Sequence, residues 1–389
     1  KGLEEQAMSN INQIARKELT GFFSSLTGLI FFGAFLACTL FIFFWVDTFF
    51  ARNIADVRPL FEWMPVLLVF LVPALTMKMW SEEKSTGTIE VLLTSSVSNL
   101  DLVLGKFLAC LVLVTIAILL TLPIPITVML LGPLDWGPVI GGYLASIFLA
   151  SAYSAIGLFV SAKTANQIVS LIFSVLVCGA FYLIGSDTIL GFLPADISEI
   201  VALAGTGTHF ESITRGVIDF RDLYYYASIT AAFICLNVLA LEKMRWANNP
   251  TNAIHKRWMT ITALFVANFL IGNFWIQKVT FARVDMTSGQ IYSISSTTKK
   301  YLSNLNEPLL IRGYFSAKTH PLLAPLVPRL RDLLKEYELA GGNKVKVEFV
   351  DPLENPELEK EAGEKYGIRP KPFQTSNKYQ ASIANSYFD

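Results

Sequence analysis

Residues 80–106, WSEEKSTGTIEVLLTSSVSNLDLVLGK, place a charged segment between two long apolar runs. Residues 63–80, WMPVLLVFLVPALTMKMW, lead into it, and residues 107–132, FLACLVLVTIAILLTLPIPITVMLLG, follow it. At about 1.5 Å per residue, each run is long enough to cross a bilayer. The segment is therefore a polar connection at one membrane face. Gly87 and Thr88 can break the helix leaving the membrane and cap a new one, so the connection reads as a short surface helix and not a slack linker.

The whole chain agrees with that reading. It has 389 residues, 53% hydrophobic and only 16% charged, with a mean hydropathy of +0.49. Those values exclude an ordinary soluble domain and fit a polytopic membrane protein. Net charge is zero, so no global field argues for nucleic acid, and charges have to be read by position. Cys38, Cys110, Cys178 and Cys235 all fall in apolar runs, which predicts packed or lipid-facing thiols, not disulfides or metal ligands. His209, His255 and His320 lie far apart without ligand-spaced neighbours, and no metal site is assigned.

The first nine residues are read as an N-terminal remnant or linker, because Met8 looks like a natural start. Residues 11–23, INQIARKELTGFF, put Ile11, Ile14, Ala15, Leu19 and Phe22 or Phe23 on one helical face, as in an interfacial amphipathic helix or a plain extension of the first span. Spans are predicted near 29–46, 63–80, from 104, 139–161, 168–184, 223–241 and 258–276. Trp63 and Trp80 at the ends of the second span mark expected water interfaces. Pro123 and Pro125 should kink the third. The fourth is so rich in Gly, Ala and Ser that it should pack centrally. Residues 190–204 are apolar but short and interrupted by Pro194, a pattern for a re-entrant or interfacial helix.

Lys and Arg near the span ends give the orientation. With a cytoplasmic N-terminus, the inner side holds Arg16, Lys17, Lys78, Lys84, Lys106, Lys163, Lys243, Arg245, Lys256 and Arg257. The outer loops hold only Arg52, Arg58, Arg215 and Arg221, so residues 80–106 are assigned to the cytoplasm and everything after Ile276 to the outside. From residue 278 the pattern becomes that of an α/β domain. A Ser/Thr-capped helix with Tyr301, Leu302 and Leu305 on one side precedes the strand PLLIRGYF, the helix PLVPRLRDLLKEYELA, the strand KVKVEFVDP and the helix NPELEKEAGEKYGI. This order favours a thioredoxin-like layer arrangement, without a Cys-x-x-Cys for thiol chemistry. The strand-like ASIANSYFD at the end reads as a domain cut short.

EEKSTGTIEVLLTSSVS resembles the cytoplasmic loop of type-2 ABC transporter permeases, E-x-x-x-G-T-x-E-x-L-L-x-[ST]-P-[VL]-[ST], through Glu83, Gly87, Thr88, Glu90, Leu92, Leu93, Thr94, Ser95, Val97 and Ser98. Ser96 stands where the pattern commonly has proline. The resemblance implies a mainly helical, six-span exporter domain over residues 10–241, with a coupling helix near 81–100. A cytoplasmic linker (242–257) and a seventh span (258–277) follow. DMTSGQIYSIS, RGYFS, KVEFVDP and EKYGIRP make residues 278–389 similar to the GldG-like accessory protein of gliding-motility transporters, fused behind a GldF-like permease.

The resemblance implies a bacterial inner-membrane permease that binds an ABC ATPase dimer and a second permease copy, with membrane lipid around it. ATP and Mg belong to the ATPase, since the sequence has no G-x-x-x-x-G-K-[ST] loop, and this chain carries no cofactor and no catalytic residue. Glu82, Glu83 and Glu90 would offer carboxylates to the ATPase, and Ile89, Val91, Leu92 and Leu93 an apolar contact, beside Gly87 and Thr88 at the bend. In residues 208–226, Glu211, Arg215, Asp219 and Arg221 read either as an outer gate latch or as a capped amphipathic helix before the sixth span. Two functions compete: export or flipping of an amphiphilic or polymeric substrate, and a mechanotransmitter that moves the extracytoplasmic domain against envelope or motility partners.

Overall fold

The computed structural model describes residues 2–47, 49–52, 55–186, 189, 201, 203–245, 253–276, 283–288, 294–305, 307–315, 326–341, 344–352, 356–377 and 380–386. Two compact units divide the chain, Lys1–Met286 and Thr287–Asp389. The first is a helical membrane unit. Among the described residues, seven helical stretches are long and apolar enough to cross a membrane: Gly28–Val46, Met64–Ser85, Asn99–Leu131, Trp136–Lys163, Gln167–Ile184, Phe220–Arg245 and His255–Ile276. The re-entrant segment expected at 190–204 lies almost wholly outside the described residues.

The fourth span is the hub. It contacts the second, third, fifth and sixth spans, and 72% of its most apolar stretch is buried, against 17% for the fifth and seventh. Its small residues explain this, because in lipid close backbone approach replaces the hydrophobic effect as the packing force. The third span kinks as Pro123 and Pro125 require: its helix stops at Leu119 and restarts over Pro123–Leu131. Cys110 and Cys178 are buried thiols, Cys38 is exposed, and no disulfide forms.

Two expectations at the ends of the membrane unit change. The first helix runs over Gly2–Phe23 without a break, so most of the stretch read as a linker is helical. The strand β1 (Val217–Asp219) pairs antiparallel with β2 (Arg283–Asp285), so residues 283–286 fall in the membrane unit and the C-terminal unit begins at Thr287, not at 278.

The C-terminal unit is α/β. Strand β3 (Leu309–Tyr314) lies parallel to β4 (Val345–Val350), with the helix Leu326–Gly341 between them in sequence. Strand β5 (Lys371–Asn377) pairs antiparallel with β6 (Gln380–Ser386). A small core gathers Ile294, Leu302 and Val345. The helix Ser296–Ser303 is capped by Ser295, whose hydroxyl accepts from the Thr298 amide at 3.1 Å. Tyr301 was expected beside Leu302, but it points outward at 74% exposure. The two are adjacent in sequence, and adjacent helical residues face about 100° apart.

Candidate functional site

The first helix shows the face predicted for it. Ala15 and Phe22 are buried, Ile11, Ile14 and Leu19 half-buried, and Gln13, Arg16, Lys17 and Thr20 exposed. It packs on the start of the third span. Gly105 permits this: a Cβ there would come within 2.7 Å of the Ile14 side chain.

The second span reaches the same place by a bent route. Its helix breaks at Met77, between Met64–Thr76 and Lys78–Ser85. Ser161 of the fourth span fills the break: its hydroxyl accepts from the amides of Trp80 (3.0 Å) and Ser81 (3.2 Å) and donates to the Met77 carbonyl (3.0 Å). The Lys84 ammonium caps the fourth span by donating to the Ala162 carbonyl. The helix then stops at Ser85, and Gly87 takes the left-handed conformation, φ 76°. Its amide donates to the Lys84 carbonyl at 3.3 Å, a bond of the Schellman type of helix ending. The short helix Thr88–Thr94 starts immediately and ends at Ser95, whose extended backbone leads into the third span; Ser98 caps that span by accepting from the Asp101 amide at 3.1 Å.

A charge cluster fastens these pieces together. Lys106 is almost wholly buried, and its ammonium lies 2.8 Å from Glu83 Oε1, 3.0 Å from Glu18 Oε1 and 3.0 Å from the Met79 carbonyl, 4.8 Å from the centre of the Trp80 ring. One cation thus joins the first helix, the end of the second span and the third span. A further bond, Asn99 Nδ2 to Glu242 Oε1 at 2.7 Å, ties the start of the third span to the end of the sixth.

The predicted contact residues separate into two sets. Glu82, Gly87, Thr88, Glu90 and Val91 are exposed, and Leu92 is half-buried. Ile89 and Leu93 are buried in the bundle, and Glu83 turns inward to Lys106. Trp80, near the end of the second span, is fully buried within the protein, under the Lys106 ammonium. Of the exposed set, Glu82, Thr88 and Val91 line a groove of about 530 Å³ together with Lys17, Lys78 and the charge cluster of Glu18, Glu83 and Lys106, whereas Gly87 and Glu90 lie outside its lining.

At the opposite end of the bundle, the four residues read as a latch form two local ion pairs. Glu211 meets Arg215 at 2.7 Å one helical turn on, and Asp219 meets Arg221 two residues on. A group that sequence reading passed over joins the helix Thr206–Thr214 to the sixth span. His209 Nδ1 lies 2.6 Å from Asp222 Oδ1, its Nε2 lies 3.2 Å from the Leu203 carbonyl, and its ring stacks on Tyr225 at 4.0 Å. Tyr225 and Tyr226 donate their hydroxyls to the carbonyls of Ala204 and Thr206 at 2.7 and 2.9 Å. In thermal melts, Asp222→Ala is expected to cost about 1–3 kcal/mol, because it strips a buried ring nitrogen of its partner. Arg215→Ala should stay within about 0.5 kcal/mol, since its pair is largely solvated. Equal losses would refute this ranking of the two groups.

Among the described residues no cluster of His, Cys, Asp and Glu has the makings of a metal site. A search of curated proteins returned no match. Two family models match the chain. One, a domain of unknown function (DUF7088), covers residues 288–389 and so coincides with the C-terminal unit. The other, the ABC-2 family transporter protein, covers residues 4–285, reaching beyond the sixth span through the seventh. The permease domain fills most of the chain, and the protein belongs to the ABC-2 transporter family.

Proposed function

We propose that the chain is the transmembrane permease subunit of an ABC transporter that takes mechanical work from a separate ATPase through the loop at residues 81–98. The observation that carries this reading is the two-sidedness of the helix Thr88–Thr94. Ile89 and Leu93 sink into the bundle while Glu90 and Val91 stand exposed, Val91 lining the groove. A loop anchored this way moves as part of the spans, so a push on its exposed side is a push on them. The ATPase dimer holds ATP and Mg, a second permease copy completes the assembly, and the cargo is amphiphilic or polymeric. Lys and Arg placement supports an inner-membrane orientation with residues 81–98 cytoplasmic and the C-terminal unit outside. The sequence motifs of the C-terminal segment support kinship with the GldF/GldG transporters of gliding motility.

Glu90→Lys tests the docking surface. Glu90 is exposed and touches no core group that matters to folding, so melts should shift by no more than about 0.5 kcal/mol, while co-purification of the ATPase should fall at least tenfold. Wild-type co-purification would remove the loop from the interface.

A second reading, mechanotransmission to envelope partners, draws support from the β1–β2 ladder, which pairs residues 217–219, just before the sixth span, with residues 283–285, a few residues before the C-terminal unit in sequence. Reconstituted vesicles separate the two readings. ATP-dependent translocation that persists after removal of residues 287–389 would reject mechanotransmission, and stimulated ATPase without translocation would favour it.

A further inference from the structure

The groove beside the loop carries charges of both signs, and only some of them are engaged within the protein. Glu18 and Glu83 enclose the buried Lys106 ammonium. Lys17, Lys78 and Glu82 line the same groove. Lys17 and Glu82 are exposed, and among the described residues neither side chain forms an ion pair, not even with the other. The Lys78 ammonium lies 4.2 Å from the centre of the Phe22 ring, which also lines the groove. The groove occupies the level of a lipid headgroup, at the end of the second span and the start of the third. The first helix, which forms one side of it, packs its apolar face on the third span, so its exposed side meets a membrane surface with charge and not with hydrocarbon. Just beyond Phe22 in sequence, Leu26, Leu29 and Ile30 stand exposed at helical spacing on the first span, an apolar face for acyl chains to follow.

We propose that this groove binds the headgroup of an aminophospholipid of the phosphatidylethanolamine class, its phosphate held by the Lys17 and Lys78 ammonium groups and its own ammonium donating to the Glu82 carboxylate. Charge complementarity selects this occupant. The ionisable residues of the lining are Lys17, Lys78 and Lys106 against Glu18, Glu82 and Glu83, a net charge of zero. A purely anionic headgroup therefore gains no net field and meets carboxylates as well as lysines, whereas a zwitterion pairs with each sign. A choline headgroup has the same charges but no N–H to donate to Glu82. The volume of about 530 Å³ falls within the range of about 300–1,000 Å³ usual for small-ligand sites, and basic pockets between membrane helices are established headgroup binders. Glu90, outside the lining, stays available to a protein partner. The site needs only that residues 81–98 lie at a membrane face, and it stands or falls independently of an ATPase docking there.

Native mass spectrometry of the full chain in detergent, titrated with the dihexanoyl forms of phosphatidylethanolamine, phosphatidylglycerol and phosphatidylcholine, tests the site. Phosphatidylethanolamine should bind as one tight copy per chain, roughly tenfold or more tighter than either of the others. Lys17→Ala should weaken it about tenfold by removing a phosphate contact. Glu82→Gln should weaken it about fivefold while leaving phosphatidylglycerol unchanged or tighter, so that the preference for ethanolamine collapses. Both side chains are exposed, so the two variants fold, and unchanged melting temperatures verify that. Phosphatidylglycerol or phosphatidylcholine bound by the wild-type chain as tightly as phosphatidylethanolamine overturns the proposal, as does an affinity for phosphatidylethanolamine that Lys17→Ala leaves unchanged. Absence of any lipid binding overturns it too; protection of Lys17 from acetylation only when the ATPase is added would then assign the groove to a protein partner.

Discussion

Replacing Lys106 with methionine is expected to destabilise the membrane unit by about 3–5 kcal/mol, the cost of removing one partner from a buried charge cluster. The side chain is 3% exposed, and it sits between Glu18 and Glu83, which are 18% and 16% exposed. Without the cation two carboxylates confront each other across the vacated space. Glu83 Oε2 is already buried with no hydrogen-bond partner among the described residues, so nothing nearby takes over. The Met79 carbonyl loses its donor at the same time, next to the break in the second span. The first element to respond should be the amphipathic helix, whose only charge tie to the third span among the described ion pairs is Glu18 to Lys106. Thermal unfolding in detergent reads the stability, and protease sensitivity near Arg16 and Lys17 reads the helix.

The design of that experiment lies in its rescue. Changing Glu18 and Glu83 to leucine alongside Lys106→Met removes every charge of the cluster, and such replacements are often neutral or stabilising. The triple variant should therefore regain most of the lost stability. If it stays as unstable as Lys106→Met alone, the methionine is failing through its shape and the charge account is wrong.

This cluster also marks the limit of what the sequence discloses. The amphipathic face of the first helix could be read directly, since its apolar positions repeat at 3.6 residues and the structure buries that same face. The bend at Gly87 could be read too, because a glycine before a threonine in a charged segment has few other uses. Lys106, however, is 23 residues from Glu83 and 88 from Glu18, and no local pattern records which carboxylate a lysine will meet. Glu83 therefore looked like Glu82 and Glu90, its exposed neighbours. The contact of Trp80 with the Lys106 ammonium is hidden for the same reason, since it too is set by tertiary packing. The His209–Asp222 pair joins two segments through a bend that carries no repeating pattern.

Gly87→Val should uncouple the permease from its ATPase while leaving the bundle folded. The residue holds φ at 76°, in a region that a β-branched side chain reaches only with strain, at a cost of about 1–3 kcal/mol. A Cβ at this position meets no atom within 4 Å, so the backbone is the main source of strain. The exposed backbone has an escape: it can move Gly87 to negative φ by swinging the helix Thr88–Thr94 out of line. That swing lifts Ile89 and Leu93 from the bundle and misdirects Glu90 and Val91. ATPase activity stimulated by the permease is expected to fall at least tenfold, with the melting temperature lower by only a few degrees. Gly87→Asn supplies the control, since asparagine is the L residue that enters the left-handed region most readily; it should keep at least half of the stimulation. Valine and asparagine variants with equal activity would mean that the bend does not set the position of the loop, and the coupling role assigned to residues 81–98 would have to be given up.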